Sequence, residues 1–453
     1  MYFLYGILLS IGMAALLPRF IFDAIRHGKY VAGLSERLGR IPPIRAGERP
    51  VIWLHCVSVG ETQAARPLVR ALCERYPSHA LVVSTTTLTG QRLAREVFRE
   101  HAQAIFYFPF DWALSVRRAL RAVDPAAVLI METELWPRFL RECHAGCVPV
   151  ALINGRLSER SARGYRRIKR FISRVVNDLT LAIMQSEADA ERIRSLGLDP
   201  GRIRVSGNIK FDLELAAGES PLTAELRERF RINGARPLII AASTHAPEER
   251  IIIEALKKLG AARPEDRARL LIAPRHPERF AEAASLLEAS GLTWARRSAA
   301  PAANDPTCSA ILLDTIGELR AVYPLATLVF VGGSIAPTGG HNVLEPAAAG
   351  ACIITGPHTH NFASIIRGFR QAEALVQLPE MAHSEAPGAL ARVFAELLAD
   401  AGRRQQIGAR ARAVLEANRG ATARTIEMLG PLLEQSIRRW RPDAEAARVS
   451  AGF

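Results

Sequence analysis

A chain of 453 residues is too long for a single core and points to two domains. With 49% hydrophobic and 23% charged residues it is globular, which excludes a disordered or fibrous protein. The 59 basic against 45 acidic residues give a net charge of +14, suited to a phosphorylated substrate or an acidic lipid surface; 6% aromatics, without aromatic and basic interleaving, make nucleic acid the poorest fit.

Residues 1–17, MYFLYGILLSIGMAALL, carry no charged side chain and fall at the lower edge of the ~17–25 residues that cross a bilayer as a helix. The positive residues Arg19, Arg26, Lys29, Arg37 and Arg40 come after this run, not before it. That order disfavours a cleaved signal peptide and sets the body of the protein in the cytoplasm. The expectation is a membrane anchor over residues 1–20; the alternative is a buried N-terminal helix.

From Pro50 strand and helix alternate. Strands are predicted over 51–57, 80–85, 104–108, 127–131, 148–153, 181–185 and 202–205, with a helix over 61–76. Short apolar runs separated by amphipathic helices imply a parallel, doubly wound sheet, here spanning a domain of residues 21–216. Residues 217–237 are charged and turn-rich and read as a linker. A second alternation, over 238–242, 268–273, 293–295, 310–313, 328–331 and 351–355, defines a domain of 238–420. Helices from Gly388 to about Trp440 are long enough to cap this domain and cross back to the first, with 421–453 as a tail. Two such domains are expected to bind ligands in a cleft between them.

Polar clusters recur where strands end. In HCVSVGET (55–62), Glu61 falls where a loop becomes a helix, as a cap favoured by the helix dipole or as a general base. METELWP (131–137) puts two acids and a Trp past a strand end, as a cleft lining or as a helix start with Pro137 in its first turn. NGRLS (154–158) opens onto the basic run 163–170, a solvated face or a set of cations for lipid phosphates. GNIKFD (207–212) offers Lys210 to neutralise a leaving phosphate. Ser243-Thr244-His245, PRHPE (274–278) and DTIGEL (314–319) follow three strands of the second domain.

The run LVFVGGSIAPTGGHNVLEPAAAG (328–350) has a strand, then Gly332, Gly333 and Ser334, then a helix opening near His341. Glycines and a helix N-terminus let an anion approach unpaired N–H groups, and Glu345 one turn beyond His341 suits sugar hydroxyls. This is how a nucleotide is gripped; the alternative is an ordinary glycine-rich turn. The recurrence of such clusters argues for one shared site. The cysteines at 56, 73, 143, 147, 308 and 352 lack zinc-ribbon spacing and read as small buried residues, with no metal site expected.

In this order and spacing SVGET, METELWP, NGRLS, GNIKFD, APRHPER and GGHNVLEPAAAG resemble the 3-deoxy-D-manno-octulosonic acid (Kdo) transferases of lipopolysaccharide assembly, over residues 1 to about 420. The resemblance implies a GT-B architecture of two Rossmann-like domains facing a cleft. It implies transfer of Kdo from CMP-Kdo to lipid IVA at the cytoplasmic face of the inner membrane, without a metal or other cofactor. Glu61 then resembles the catalytic base, and Glu132 and Lys210 take positions associated with transition-state stabilisation. Arg275, His276, Ile316, Gly317, Glu318, Asn342, Val343, Leu344 and Glu345 match the CMP-binding segments. Two rival readings remain: another nucleotide-sugar enzyme, such as a UDP-sugar transferase or epimerase, and a non-catalytic protein holding an anionic glycolipid.

Overall fold

The computed structural model describes residues 1–27, 33–42, 44, 47, 49–212, 219–262 and 268–440, with the side chains of 17–27, 262 and 436–440 left aside. The side chains of Arg19 and Arg26, the whole of Lys29, linker positions 213–218 and the tail from 441 on lie outside the described residues. By contacts the chain forms two compact units, residues 1–212 with 418–453, and residues 213–417.

Unit 1 is built on a seven-stranded sheet: β1 Val51–Cys56, β2 Ala80–Thr85, β3 Ala102–Tyr107, β4 Pro125–Met131, β5 Val150–Gly155, β6 Leu181–Met184 and β7 Ile203–Val205. The order is β3-β2-β1-β4-β5-β6-β7, and every pairing is parallel. Its central strands are apolar throughout because both faces are covered. Along β1, Val51 and Trp53 enter one core while Ile52, Leu54 and Cys56 enter the other. The predicted helix over 61–76 is two helices, Val59–Ala64 and Arg66–Arg75, the second with a proline in its first turn. Pro67 has no N–H to continue the first helix.

The final helix, Ala421–Trp440, contributes Leu429, Leu432 and Leu433 to the second core of unit 1. Asp212 accepts from the N–H groups of Gly420 (2.6 Å) and Thr422 (2.5 Å), and Thr425 Oγ1 donates to Ser206 Oγ at 3.0 Å. The first part of the expected tail is therefore a core element.

Unit 2 carries β8 Leu238–Thr244, β9 Arg269–Pro274, β10 Trp294–Arg296, β11 Ala310–Leu312, β12 Leu328–Val331, β13 Cys352–Thr355 and β14 Val376–Gln377. The order is β10-β11-β9-β8-β12-β13-β14, again all parallel. The two-residue β14 was not expected. The stretch expected as a linker contains the helix Pro221–Arg229, N-capped by Ser220, which buries Leu226 and leads to buried Phe230. Arg229 pairs with Asp305 at 2.8 Å, fixing this helix to unit 2. Its few apolar residues sit in a charged background, which hides the helix from hydropathy.

The N-terminal helix runs Tyr2–His27. Among the described residues no helix is long and apolar enough to cross a membrane. The strand order reverses between β1 and β4 in unit 1 and between β8 and β12 in unit 2, where β11 is also inserted between β10 and β9. The crevice beyond the carboxyl ends of such a pair is the usual ligand position in open parallel sheets.

Candidate active site

In unit 1 the turn after β1 is a helix cap. Ser58 accepts from Glu61 N, while the Glu61 carboxylate accepts from Val57 N at 2.6 Å and from the Ser58 hydroxyl at 3.3 Å. This exchange is a variant of the capping box. Glu61 is thus a cap, but one with a buried carboxyl, 8% exposed. Burial, then the charges of Glu132 and Glu134, push its pKa up to about 8 against the pull of the Val57 N–H and the Ser58 hydroxyl. The reading of Glu61 as a helix cap therefore holds. A carboxyl tuned in this way suits proton transfer near neutrality.

Glu132 follows β4 across the switch point, with a left-handed φ of 56° that turns the chain out of the sheet. Its carboxylate meets Lys210 Nζ at 2.6 Å. Lys210 lies in the short turn Ile209–Phe211, where Asn208 Oδ1 accepts from Lys210 N and Asn154 Oδ1 accepts from Ile209 N. Asn154, fully buried with φ 51°, thereby ties the end of β5 to this turn. Burial and the Glu132 charge raise the Glu134 pKa, and burial followed by Glu134 raises that of Tyr165. Glu61, Glu132 and Lys210, some 150 residues apart in sequence, belong to one electrostatic group. His55, by contrast, is a core histidine: fully buried, stacked 3.9 Å from Phe108, bonded through Nδ1 to Ser84 and pushed down to about 3 by burial.

In unit 2 the loops after β8 and β12 are joined by a residue no motif singled out. The buried Glu248 carboxylate accepts from the N–H groups of His245 (2.9 Å), Gly333 (2.7 Å), Ser334 (2.9 Å), Ile335 (2.8 Å) and Ala336 (3.2 Å). The backbone of the glycine-rich loop, expected to cradle an anionic ligand, is already occupied by a carboxylate of the protein itself. Nor does a helix open near His341: it begins at Leu344 and covers five residues, Leu344–Ala348. The glycines still matter for close approach, since a Cβ on Gly332 would strike the backbone of Ser243 and Thr244.

Beside this clamp, His245 Nε2 lies 2.8 Å from His341 Nε2, with the rings 7° from parallel, and His276 packs edge-on against His245. Burial, then the neighbouring His245, Arg275 and His276, hold His341 down at about 3. Burial also raises the Glu345 pKa, against the opposing pull of Arg320, a hydrogen bond with Asn342, and Arg275. Arg275, His276, Asn342 and Glu345 are therefore brought together. Val343 and Leu344 are buried core residues, so only their backbone can face a ligand. The 316–318 turn follows β11, the neighbour of β9, at the same sheet edge. Ile316 is 79% exposed, Gly317 has φ 88°, and Glu318 pairs with Arg297 at 2.8 Å.

Sequence reasoning named His245 and His341 without assigning them a role and missed Glu248, Arg297 and Arg320. The available signal was positional: Glu248 opens a helix right after a strand end, as Glu61 nearly does. Among the described residues no group of three or more His, Cys, Asp or Glu is placed to hold a metal.

Two doubly wound units, each with its polar residues at a switch point, define the GT-B class of sugar-transferring folds. A glycosyltransferase from Rickettsia africae (TM-score 0.56, 13% identity, 85% of this chain and 99% of that one) shares the fold. So does HepE from Anabaena in complex with UDP (TM-score 0.54, 12% identity, 84% and 100%). A family profile described as 3-deoxy-D-manno-octulosonic-acid transferase (kdotransferase) matches residues 32–213. The 3-deoxy-D-manno-octulosonic acid transferase of Haemophilus influenzae is 34% identical over 435 residues, 96% of this chain and 99% of that one. That of Bordetella pertussis is 37% identical over 386 residues, 83% and 86% of the two chains. The chain belongs to the Kdo transferase family.

Proposed function

We propose that this protein transfers Kdo from CMP-Kdo to the 6′-hydroxyl of lipid IVA, with inversion at the anomeric carbon, at the cytoplasmic face of the inner membrane. The observation that carries the reading is the buried Glu61 carboxyl, pushed up to about 8, beside the Glu132–Lys210 pair at a switch point. The acceptor oxygen attacks C2 of Kdo as the C2–O bond to the phosphate breaks. Glu61 takes the hydroxyl proton, and the bond electrons leave with CMP. Glu132, held by Lys210, offers negative charge to the oxocarbenium-like centre. Arg275 and His276 offset the charge growing on the phosphate, and Glu345 accepts from the ribose hydroxyls. Residues 1–20 and the basic run 163–170 support attachment to an acidic membrane.

The test is Glu61→Gln with CMP-Kdo and lipid IVA, read by mass spectrometry of the lipid and by CMP binding. Transfer should fall at least ~10²-fold while CMP still binds. Full transfer by the variant would remove Glu61 from the mechanism, and release of UDP from a UDP-sugar by the native chain would favour another donor. The same spectrum counts the Kdo units added.

A further inference from the structure

The N-terminal helix is docked by its first turn. Tyr2 donates its hydroxyl to Asp178 at 2.6 Å and Tyr5 donates to Asp111 at 2.8 Å. Both rings pack on Phe171, with centroids 5.6 and 5.9 Å away. Both carboxylates also hold the helix Pro137–Ala145: Asp111 accepts from Arg138 N and Phe139 N, and Asp178 pairs with Arg141. On the other side of the N-terminal helix, Phe3 (81% exposed), Leu4, Leu8 and Ile11 form an open apolar ridge.

These contacts conflict with a spanning helix. If residues 2–17 crossed a bilayer with the body on the side of the later positive residues, Tyr2 would lie ~23 Å away, across the hydrocarbon. It could not then bond to Asp178 of the body. We infer that this helix lies along an acidic bilayer surface, bracketed to unit 1 by Tyr2 and Tyr5, and inserts its Phe3, Leu4, Leu8 and Ile11 ridge without crossing. Phe171, the residue on which it rests, sits in the helix Lys169–Asn177, whose exposed cations Lys169, Arg170 and Arg174 continue those of Arg163, Arg166 and Arg167. An apolar ridge beside a cationic face is the pattern of an interfacial helix on anionic lipid. The bracket also ties the lipid-bound helix to the start of the Pro137–Ala145 helix, right after the loop that carries Glu132 and Glu134.

The inference rests on the membrane attachment proposed above and specifies its geometry. The test uses the full chain in nanodiscs of mixed neutral and phosphatidylglycerol lipids. One nitroxide sits at Gly6→Cys, where a side chain meets open space, and the other at native Cys147, exposed just beyond Ala145, with Cys73→Ser to limit labelling. Docking predicts one narrow distance, on the order of 15–30 Å, since the intervening nine-residue helix is ~14 Å long. A distance beyond about 40 Å, or a broad distribution, overturns it. Tyr2→Phe with Tyr5→Phe should broaden the distribution while disc binding persists; an unchanged narrow distance would remove the tyrosines from the bracket. A chain that never co-purifies with the discs refutes membrane attachment itself, a separate readout from the distance.

Discussion

At the scale of single residues, the role of base proposed for Glu61 carries a pH dependence. As a base it acts only when ionised, and its pKa of about 8 leaves it largely protonated at neutral pH. The value of kcat/KM should therefore rise about tenfold per pH unit up to about 8 and then level off. Because the Glu132 charge is the second cause of the shift, Glu132→Gln should move that break to lower pH while lowering the plateau. A pH–rate profile of both proteins checks this. Stability carries the same shift with the opposite sign. A carboxyl raised from 4.5 to about 8 binds more protons folded than unfolded between those values, so stability is lost as pH rises through that window. Glu61→Gln removes the loss and should melt above the native protein at pH 9 but level with it near pH 4. The position of Glu61 at a strand end was legible in the sequence. Its tuning was not, because Glu132 and Glu134 reach it only through the folding of strands far apart in the chain.

Among the elements, the loop after β12 shows how a motif can be read correctly as special and wrongly as to what fills it. Gly332 and Gly333 do permit close backbone approach, but the approaching group is Glu248, 85 residues earlier than Gly333. No local pattern could announce a partner so remote. Glu248→Gln exchanges one acceptor oxygen for an NH₂ group facing N–H donors. It should cost about 3 kcal/mol and weaken CMP binding, although Glu248 is buried beneath the loop. Denaturant unfolding and CMP titration together check this, and unchanged unfolding would deny the clamp its structural role. Strands were legible because their runs are apolar from end to end. The Pro221–Arg229 helix was not, since only Thr223 and Leu226 within it, and Phe230 just after it, turn inward from a charged stretch.

For the molecule as a whole, both sheets place their polar residues by the same rule, at the carboxyl ends of parallel strands, with Glu61 and Glu132 after β1 and β4 and Arg275 and Glu345 after β9 and β12. The two-domain division was legible from the two runs of alternating strand and helix; the return of the last helix to unit 1 as part of its core was legible only as a crossing. The return has a consequence for stability. A chain ending after Ala417 loses Leu429, Leu432 and Leu433 from the core that Ile52, Leu54, Leu68 and Leu72 share, so unit 1 should melt well below its native temperature while unit 2 keeps its own. CMP discriminates the two transitions. The residues matched to the nucleotide lie in unit 2, so CMP at a hundredfold excess over its Kd should stabilise that unit by about 2.7 kcal/mol in native and truncated chains alike. Scanning calorimetry with and without CMP measures both transitions. A CMP shift confined to unit 1, or abolished by the truncation, would reassign the nucleotide site.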